Sequence, residues 1–301
     1  MELTKSSKLV PLILVQPTGK PLLPVLKTVP EYQTADDPNQ KGESQVPEKL
    51  RWGFSTGTAA TAAALGAVKF LEDGRPPDQV EPNLPGKRSL ILNLSDAHLS
   101  DGRAQATIIK DGGDDPDVTN GARVGASVMR TTQCGLTIIG GPGVGRVTKP
   151  GLVLKIGEWA INPVPLRMLA DNLAPFLRPD SGLLVSISID DGEQIATKTL
   201  NPRLGIVGGL SVLGTTGLVK PFSHGAYVAT IDSSMKVARA LGSWEIVLTT
   251  GVRSEEFARR DRPDLIPEAF IQIADFFRTS LKLAVRHEFK KIGLGIFFGK
   301  A

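Results

Sequence analysis

Hydrophobic and polar positions fall into stretches of distinct period along this chain, and those periods predict its elements. Residues 55–71 form an Ala-rich run of high helix propensity, with Ser55 or Thr56 placed to cap it, so a helix is expected. Residues 90–94 and Arg103–Ile109 alternate with the period of a strand, and Asp101-Gly102 stands before the second as a turn signal. Short apolar runs at 136–139, 153–156 and 183–189 predict further strands, and the last of these runs into the turn Asp190-Asp191-Gly192. Residues 165–174, with proline in the first turn, predict a helix.

After Asn201 the rhythm changes. Strands are expected at 204–207, 245–248 and 292–298, and helices at 224–241 and, as one long element, at 267–287. Strands alternating with long helices predict βαβ units and a mostly parallel sheet. The expected fold class is therefore α/β: a mixed α+β domain over 49–200, then an α/β domain over 201–301. Residues 1–48 read as a flexible extension, because 32–49 are polar, aperiodic and rich in Pro, Asp, Gln and Glu. The final apolar strand meets Gly299-Lys300-Ala301 at once, so the α/β domain is expected to be shortened at its C-terminus. No internal repeat is visible.

Composition narrows the class. Of 301 residues, 41% are hydrophobic and 32 are glycine, which suits a loop-rich enzyme better than a coiled coil or a disordered chain. A single cysteine, Cys134, rules out an intramolecular disulfide, and the apolar run at 9–15 is too short for a secretory leader or a membrane span. The cytoplasm is the expected compartment. A net charge of +4 suits an anionic partner, but no zinc-finger spacing, RNP-like aromatic motif or long basic block points to nucleic acid. A small polycarboxylate fits the same charge. No metal-ligand spacing stands out, and the acidic run after Lys110 lacks the twelfth-position Glu of an EF-hand, where Ala122 stands.

Four motifs carry candidate chemistry. Gly53-Phe54-Ser55-Thr56-Gly57-Thr58 opens the Ala-rich helix, and its amides and hydroxyls could meet an anion or simply cap the helix. Asp111, Asp114, Asp115 and Asp117 crowd four carboxylates into seven positions, a repulsion that a cationic ligand, a metal or backbone donors would have to offset. Residues 140–146 (GGPGVGR) follow a strand but run into Thr148-Lys149-Pro150-Gly151. That is a poor helix start, so a structural loop is expected rather than a dinucleotide or phosphate fingerprint. Gly214, Thr215, Thr216 and Gly217, and then Thr249, Thr250 and Gly251, follow two strands expected to be parallel neighbours. Both loops would then face one crevice at the carboxyl edge of the sheet. His224 nearby reads as a structural or exposed histidine.

Six segments together, FSTGTAATAAALGAV, KDGGDDPDVTNGA, GGPGVGRVTKPGL, GEWAINPVPLRM, NPRLGIVGGLSVLGTTGLVKPFS and TTGVRSE, resemble in order and approximate spacing the signature blocks of the cobalt-precorrin-5B C1-methyltransferases. The resemblance covers about residues 51–301. It implies a two-domain α/β protein that uses S-adenosylmethionine to methylate C1 of a cobalt-containing corrin precursor, giving cobalt-precorrin-6A. The chain departs from the family pattern at Ala59, Leu65, Asn120 and Val252, where members commonly carry Cys, Lys, His and Gly, and members continue past Ala301. On this reading Gly214–Gly217 and Thr249–Gly251 hold the cofactor, and Asp111, Asp114, Asp115 and Asp117 favour the sulfonium or bind amide and cation groups. Lys110, Arg146, Lys149, Lys220 and Arg253, with Thr56, Gly57 and Thr58, meet the substrate carboxylates. The two competing expectations are a shortened, non-catalytic corrinoid-binding homologue and a phosphotransferase using GGPGVG. The missing G-K-[ST] ending argues against the second.

Overall fold

The computed structural model describes residues 50–296, so the expectations for the extension at 1–48 and for residues 297–301 lie outside the described residues. Apart from four two-residue strands between Gln79 and Asn93, the elements are β1 (Gly53–Phe54), α1 (Thr56–Asp73), β2 (Asp96–Ser100), β3 (Arg103–Ile109), β4 (Arg123–Thr131), β5 (Gly135–Gly140), β6 (Arg146–Val147), α2 (Pro163–Leu173), β7 (Gly182–Ile189) and α3 (Gly192–Ala196). There follow β8 (Ile206–Val207), β9 (Leu218–Val219), α4 (His224–Ala240), β10 (Glu245–Thr249), α5 (Val252–Asp261), β11 (Phe270–Gln272), α6 (Phe277–Arg286) and β12 (Lys291–Gly295). No helix among the described residues is long and apolar enough to cross a membrane.

The first core forms around α1. Ser55 caps it, its Oγ accepting the Thr58 N–H at 3.1 Å, and Gly74 ends it in the left-handed region with φ 69°. The alanine run makes this helix slim, so the five-stranded sheet can pack on one side and α2 on another, and nearly every side chain from Thr56 to Val68 is buried. The sheet order is β2-β3-β4-β7-β5, antiparallel except for the parallel pair β7–β5. Strand alternation turns Ala104, Ala106 and Ile108 of β3, and Leu183, Val185, Ile187 and Ile189 of β7, into the core. Asp101 and Gly102, both with positive φ, make the tight turn between β2 and β3.

The second core belongs to a three-stranded parallel sheet, order β11-β10-β12. The first crossover runs from β10 to β11 through α5 and the second from β11 back past β10 to β12 through α6. They cross the sheet in opposite directions, so right-handedness puts α5 and α6 on opposite faces. Ile246 and Leu248 pack with Ile231, Met235, Leu283 and Ala284 of α4 and α6, while Val247 and Phe270 pack with Ala258 of α5. Between the cores, β8 pairs antiparallel with β6 and β9 pairs antiparallel with β1, so Ile206 packs with Val147 and the chain up to Val219 folds back onto the first core.

The mixed-then-parallel α/β architecture agrees with the expected class, but several elements differ. Residues 153–156 form turns, because only Leu154 is buried while Val153 is 73% exposed. The strand expected at 204–207 shrinks to β8 and lies outside the parallel sheet, and that expected at 90–94 shrinks to Leu92–Asn93. The long helix expected at 267–287 is instead a 3-10 turn, β11 and α6. Phe270 and Ile271 bury on opposite faces as strand neighbours do, and Ala274, at φ 46°, breaks any helix there. β2, β4 and α5 were not anticipated.

Candidate functional site

The acidic loop after β3 wraps the segment leading into α1. Trp52 bridges to Gly113, and the Phe54 N–H donates to the Asp111 carbonyl at 2.8 Å. The backbones pass so closely that a Cβ on Gly53 would lie 2.2 Å from the Gly112 carbonyl carbon. Each carboxylate finds its donor inside the fold. Asp111 takes the Arg51 guanidinium and the Gly113 N–H, and Asp114 takes the Arg51 N–H at 2.6 Å. Asp115 takes the Phe222 N–H at 2.9 Å. Asp117 takes the Lys110 ammonium at 2.7 Å together with the N–H and hydroxyl of Thr119. The Arg51 hydrogen bond and the Gly113 N–H hold the Asp111 carboxyl below its ordinary range. Burial pushes Asp117 up, but Lys110 and Thr119 outweigh it and hold that carboxyl low as well. Backbone donors, Arg51 and Lys110 therefore offset the repulsion noted in the sequence. Among the described residues no group of three or more His, Cys, Asp or Glu could hold a metal ion.

The 211–219 segment closes over the N-terminus of α1. The Gly57 N–H donates to the Leu213 carbonyl at 2.9 Å, the Ser55 N–H to Gly217 at 2.9 Å and the Thr58 hydroxyl to Gly217 at 2.6 Å, while Thr56 Oγ1 accepts the Leu213 N–H at 3.0 Å. This corrects the substrate-binding expectation for Thr56, Gly57 and Thr58. They are buried and already engaged, clasping the chain rather than facing an anion. It also corrects the expectation of one crevice between two parallel strands. Gly214 to Gly217 rest on α1, with Thr215 and Thr216 exposed, whereas Thr249, Thr250 and Gly251 end β10 in the other sheet. The GGPGVG loop is structural: the Leu210 N–H donates to the Gly143 carbonyl, and a Cβ on Gly143 would lie 1.9 Å from the Ile189 carbonyl oxygen.

The five cations separate in the same way. Lys110 is buried against Asp117, so it is not available to a substrate carboxylate. Arg146 lies 3.6 Å over the Trp159 ring and donates to the Gly157 carbonyl at 2.8 Å, and Lys149 pairs with Glu268 at 2.7 Å. Lys220 and Arg253 are exposed.

What the structure brings together is a face running from the acidic loop to the carboxyl edge of the parallel sheet. Asp115 holds Phe222, Ser223 caps α4, and the first turn of α4 then sets His224 edge-on to Phe276, 5.5 Å between centroids, and Tyr227 stacked on it at 5.2 Å. Phe276 lies just beyond β11, whose Gln272 pairs across from Thr249. Thr249 leads into Thr250 and Gly251, and open space surrounds the Cβ direction of Gly251. Sequence reasoning missed Arg51, Tyr227, Gln272, Phe276 and Glu255. Glu255, nearly buried in α5, accepts from Arg203, Arg259 and Gln272. Burial pushes its carboxyl up, but these donors hold it below its ordinary range.

Comparison with known proteins adds the following. The CbiD family model matches residues 43–221. A Priestia megaterium protein named cobalt-precorrin-5B C(1)-methyltransferase is 44% identical over 257 residues, covering 84% of this chain and 70% of that protein. A Picrophilus torridus protein of the same name is 43% identical over 254 residues, covering 83% and 74%. The crystal structure of a cobalamin biosynthesis protein (cbiD) from Archaeoglobus fulgidus is 30% identical, covers 83% of this chain and 78% of its own, and gives a TM-score of 0.45.

Proposed function

This chain belongs to the CbiD family, and we propose that it is a cobalt-precorrin-5B C(1)-methyltransferase taking its methyl group from S-adenosylmethionine. The observation that carries this reading is the identity of about 44% to proteins of that name over 84% of the chain, which reaches past the family match into the parallel-sheet region. When bound, the donor supplies an electrophilic methyl on a sulfonium. Transfer to ring carbon C1 would break the sulfur–methyl bond, release S-adenosylhomocysteine and cost the ring one proton, given up to solvent, so that the ring gains one methylene in all.

Such a transfer needs no covalent help from the protein, only placement. Holding the two reactants in line is worth about 7–11 kcal/mol of barrier. The residues present fit that task. The Thr250 hydroxyl, 3.3 Å from Ser254 Oγ, and the free space about Gly251 lie at the carboxyl edge where open α/β sheets receive ligands. Thr215, Thr216 and Lys220 stand exposed on the loop that leads into α4, and Arg253 stands in the first turn of α5. Lys220 and Arg253 meet acetate and propionate carboxylates of the ring, Arg253 as the better fork. Asp114 is exposed and Asp115 half-buried on the acidic loop, and their charge favours a cationic donor at this face. Arg51, Lys110 and the clasp on α1 keep that loop rigid.

The test is turnover by the purified chain given cobalt-precorrin-5B and S-adenosylmethionine. The expected result is a gain of one methylene in the mass of the ring, with S-adenosylhomocysteine formed in equal amount. Tight corrinoid binding without any mass gain overturns the proposal in favour of a non-catalytic binding protein.

A further inference from the structure

β11 is an outer strand of the parallel sheet, and its main chain carries a pattern that the site above does not use. The Ile273 N–H donates to the Thr249 carbonyl at 2.8 Å, and the Thr249 hydroxyl reaches the Ile271 carbonyl. Residues 271 and 273 thus turn their main chain toward β10. By the period of two, Phe270 and Gln272 turn theirs outward. The outward carbonyl of Phe270 is taken by Arg203 at 2.6 Å. The outward N–H and C=O of Gln272 meet no such group among the described residues.

A cavity of about 180 Å³ lies along this edge, between the turn at 200–204 and α4. The turn is pinned in place. Arg203 grips Glu255 through two hydrogen bonds of 2.8 and 3.0 Å, and Lys149 bonds Glu268 in the wall at 2.7 Å. Tyr227, Leu204 and Ile271 give the cavity apolar surface. Thr230 and Ser234 line it with hydroxyls whose hydrogens are already donated to the Tyr227 and Thr230 carbonyls, so only their acceptor lone pairs remain. The space is of the order needed by a fused two-ring heterocycle and too small for a corrin macrocycle.

We propose that this cavity takes the adenine end of the methyl donor. Adenine presents a ring-nitrogen acceptor beside an exocyclic amine donor. The outward N–H and C=O of Gln272 form the complementary donor and acceptor, and the Thr230 and Ser234 oxygens offer the amine further acceptors. Tyr227 and Ile271 supply the dry faces that a flat ring needs. Gln272 pairs across from Thr249, so this part of the cavity's lining stands level with the end of β10 that leads into Thr250 and Gly251. This inference rests on the methyltransferase reading and adds to it where the donor binds.

Calorimetry on the intact chain tests it with S-adenosylhomocysteine and with S-inosylhomocysteine, whose base replaces the amine donor with a carbonyl acceptor. The wild-type chain should bind the inosyl analogue at least about tenfold more weakly. Gln272→Pro removes the outward donor without removing a ladder hydrogen bond, and Ser234→Phe fills the space. Each should weaken S-adenosylhomocysteine binding by about tenfold or more. The melting temperature of Ser234→Phe should stay near wild type, while that of Gln272→Pro falls because its side-chain hydrogen bond to the buried Glu255 is lost as well. If the wild-type chain binds both analogues equally and Ser234→Phe binds S-adenosylhomocysteine as tightly as wild type, the cavity is not the adenine site, although the methyl-donor reading survives. If the wild-type chain binds no S-adenosylhomocysteine at all, the reading itself fails and the inference with it.

Discussion

Replacing Lys110 with methionine isolates the ion pair at the centre of the acidic loop. Its side chain is 1% exposed, and its ammonium lies 2.7 Å from Asp117 Oδ2. Methionine keeps the apolar stem and its packing while deleting the charge. What remains is a largely buried carboxylate whose donors are the N–H and hydroxyl of Thr119 at 2.8 and 2.7 Å. Removing one partner of a buried pair costs about 3–5 kcal/mol. The Thr119 donors and the 26% exposure of the Asp117 side chain put this case at the low end, about 3 kcal/mol. Urea unfolding at pH 7 measures it, and pH gives the diagnostic signature. In the wild-type chain the Asp117 carboxyl is held below its unfolded value of about 4, so its stabilisation is present above that pH and is lost as pH falls through the lowered value. In Lys110→Met the upward push of burial loses its main opponent, so protonation relieves the variant at a higher pH. The gap between the two proteins should therefore narrow steadily from pH 7 to about pH 4.5. A loss under about 1 kcal/mol at pH 7, or a gap that does not change with pH, would refute this electrostatic account.

Other substitutions probe the remaining contacts. Gly113→Ala places a Cβ 2.2 Å from the Arg51 carbonyl oxygen at a backbone with φ 66°, and should cost about 3 kcal/mol or more in urea unfolding. Glu255→Gln keeps the acceptor oxygen but leaves Arg203 and Arg259 without a counter-charge, and should cost about 2–3 kcal/mol by the same method. The wild-type contribution of Glu255 should fade below about pH 4, as its lowered carboxyl protonates. Asp114→Asn with Asp115→Asn retains acceptors for the Arg51 and Phe222 N–H groups, so thermal stability should change by less than about 1 kcal/mol. The kcat/KM for methyl transfer should fall at least about tenfold, and full activity in the double variant would remove the acidic loop from the functional face.

Much of the fold could be read where one period dominated. The alanine run of α1, the alternation of β3 and β7 and the helical spacing of α4 all appear close to their expected positions. β4 escaped because only Val124 and Val128 among its buried positions are bulky, and Gly125 and Ala126 between them blur the alternation. α5 escaped because its sequence is largely polar and only Ser254, Glu255 and Ala258 are buried. At 267–287 apolar residues recur at near-helical intervals, but burial on both faces of a three-residue strand produces the same spacing. The need to offset the acidic cluster was legible in the sequence. The means were not, because Arg51 lies 60 residues from Asp111 and the Lys110–Asp117 pair forms only when the loop folds back on itself. The clasp of Leu213 and Gly217 on α1 is likewise a contact between distant segments, and it turned an apparent anion site into a closed joint.

The most direct test of the central claim follows the methyl group itself. The purified chain, supplied with cobalt-precorrin-5B and S-adenosylmethionine labelled with carbon-13 in its methyl, should give a corrinoid whose single new carbon-13 signal is bonded to C1, matched by one S-adenosylhomocysteine per ring. Label at another ring position, or an unlabelled ring after prolonged incubation with protein that still binds both compounds, would contradict the account.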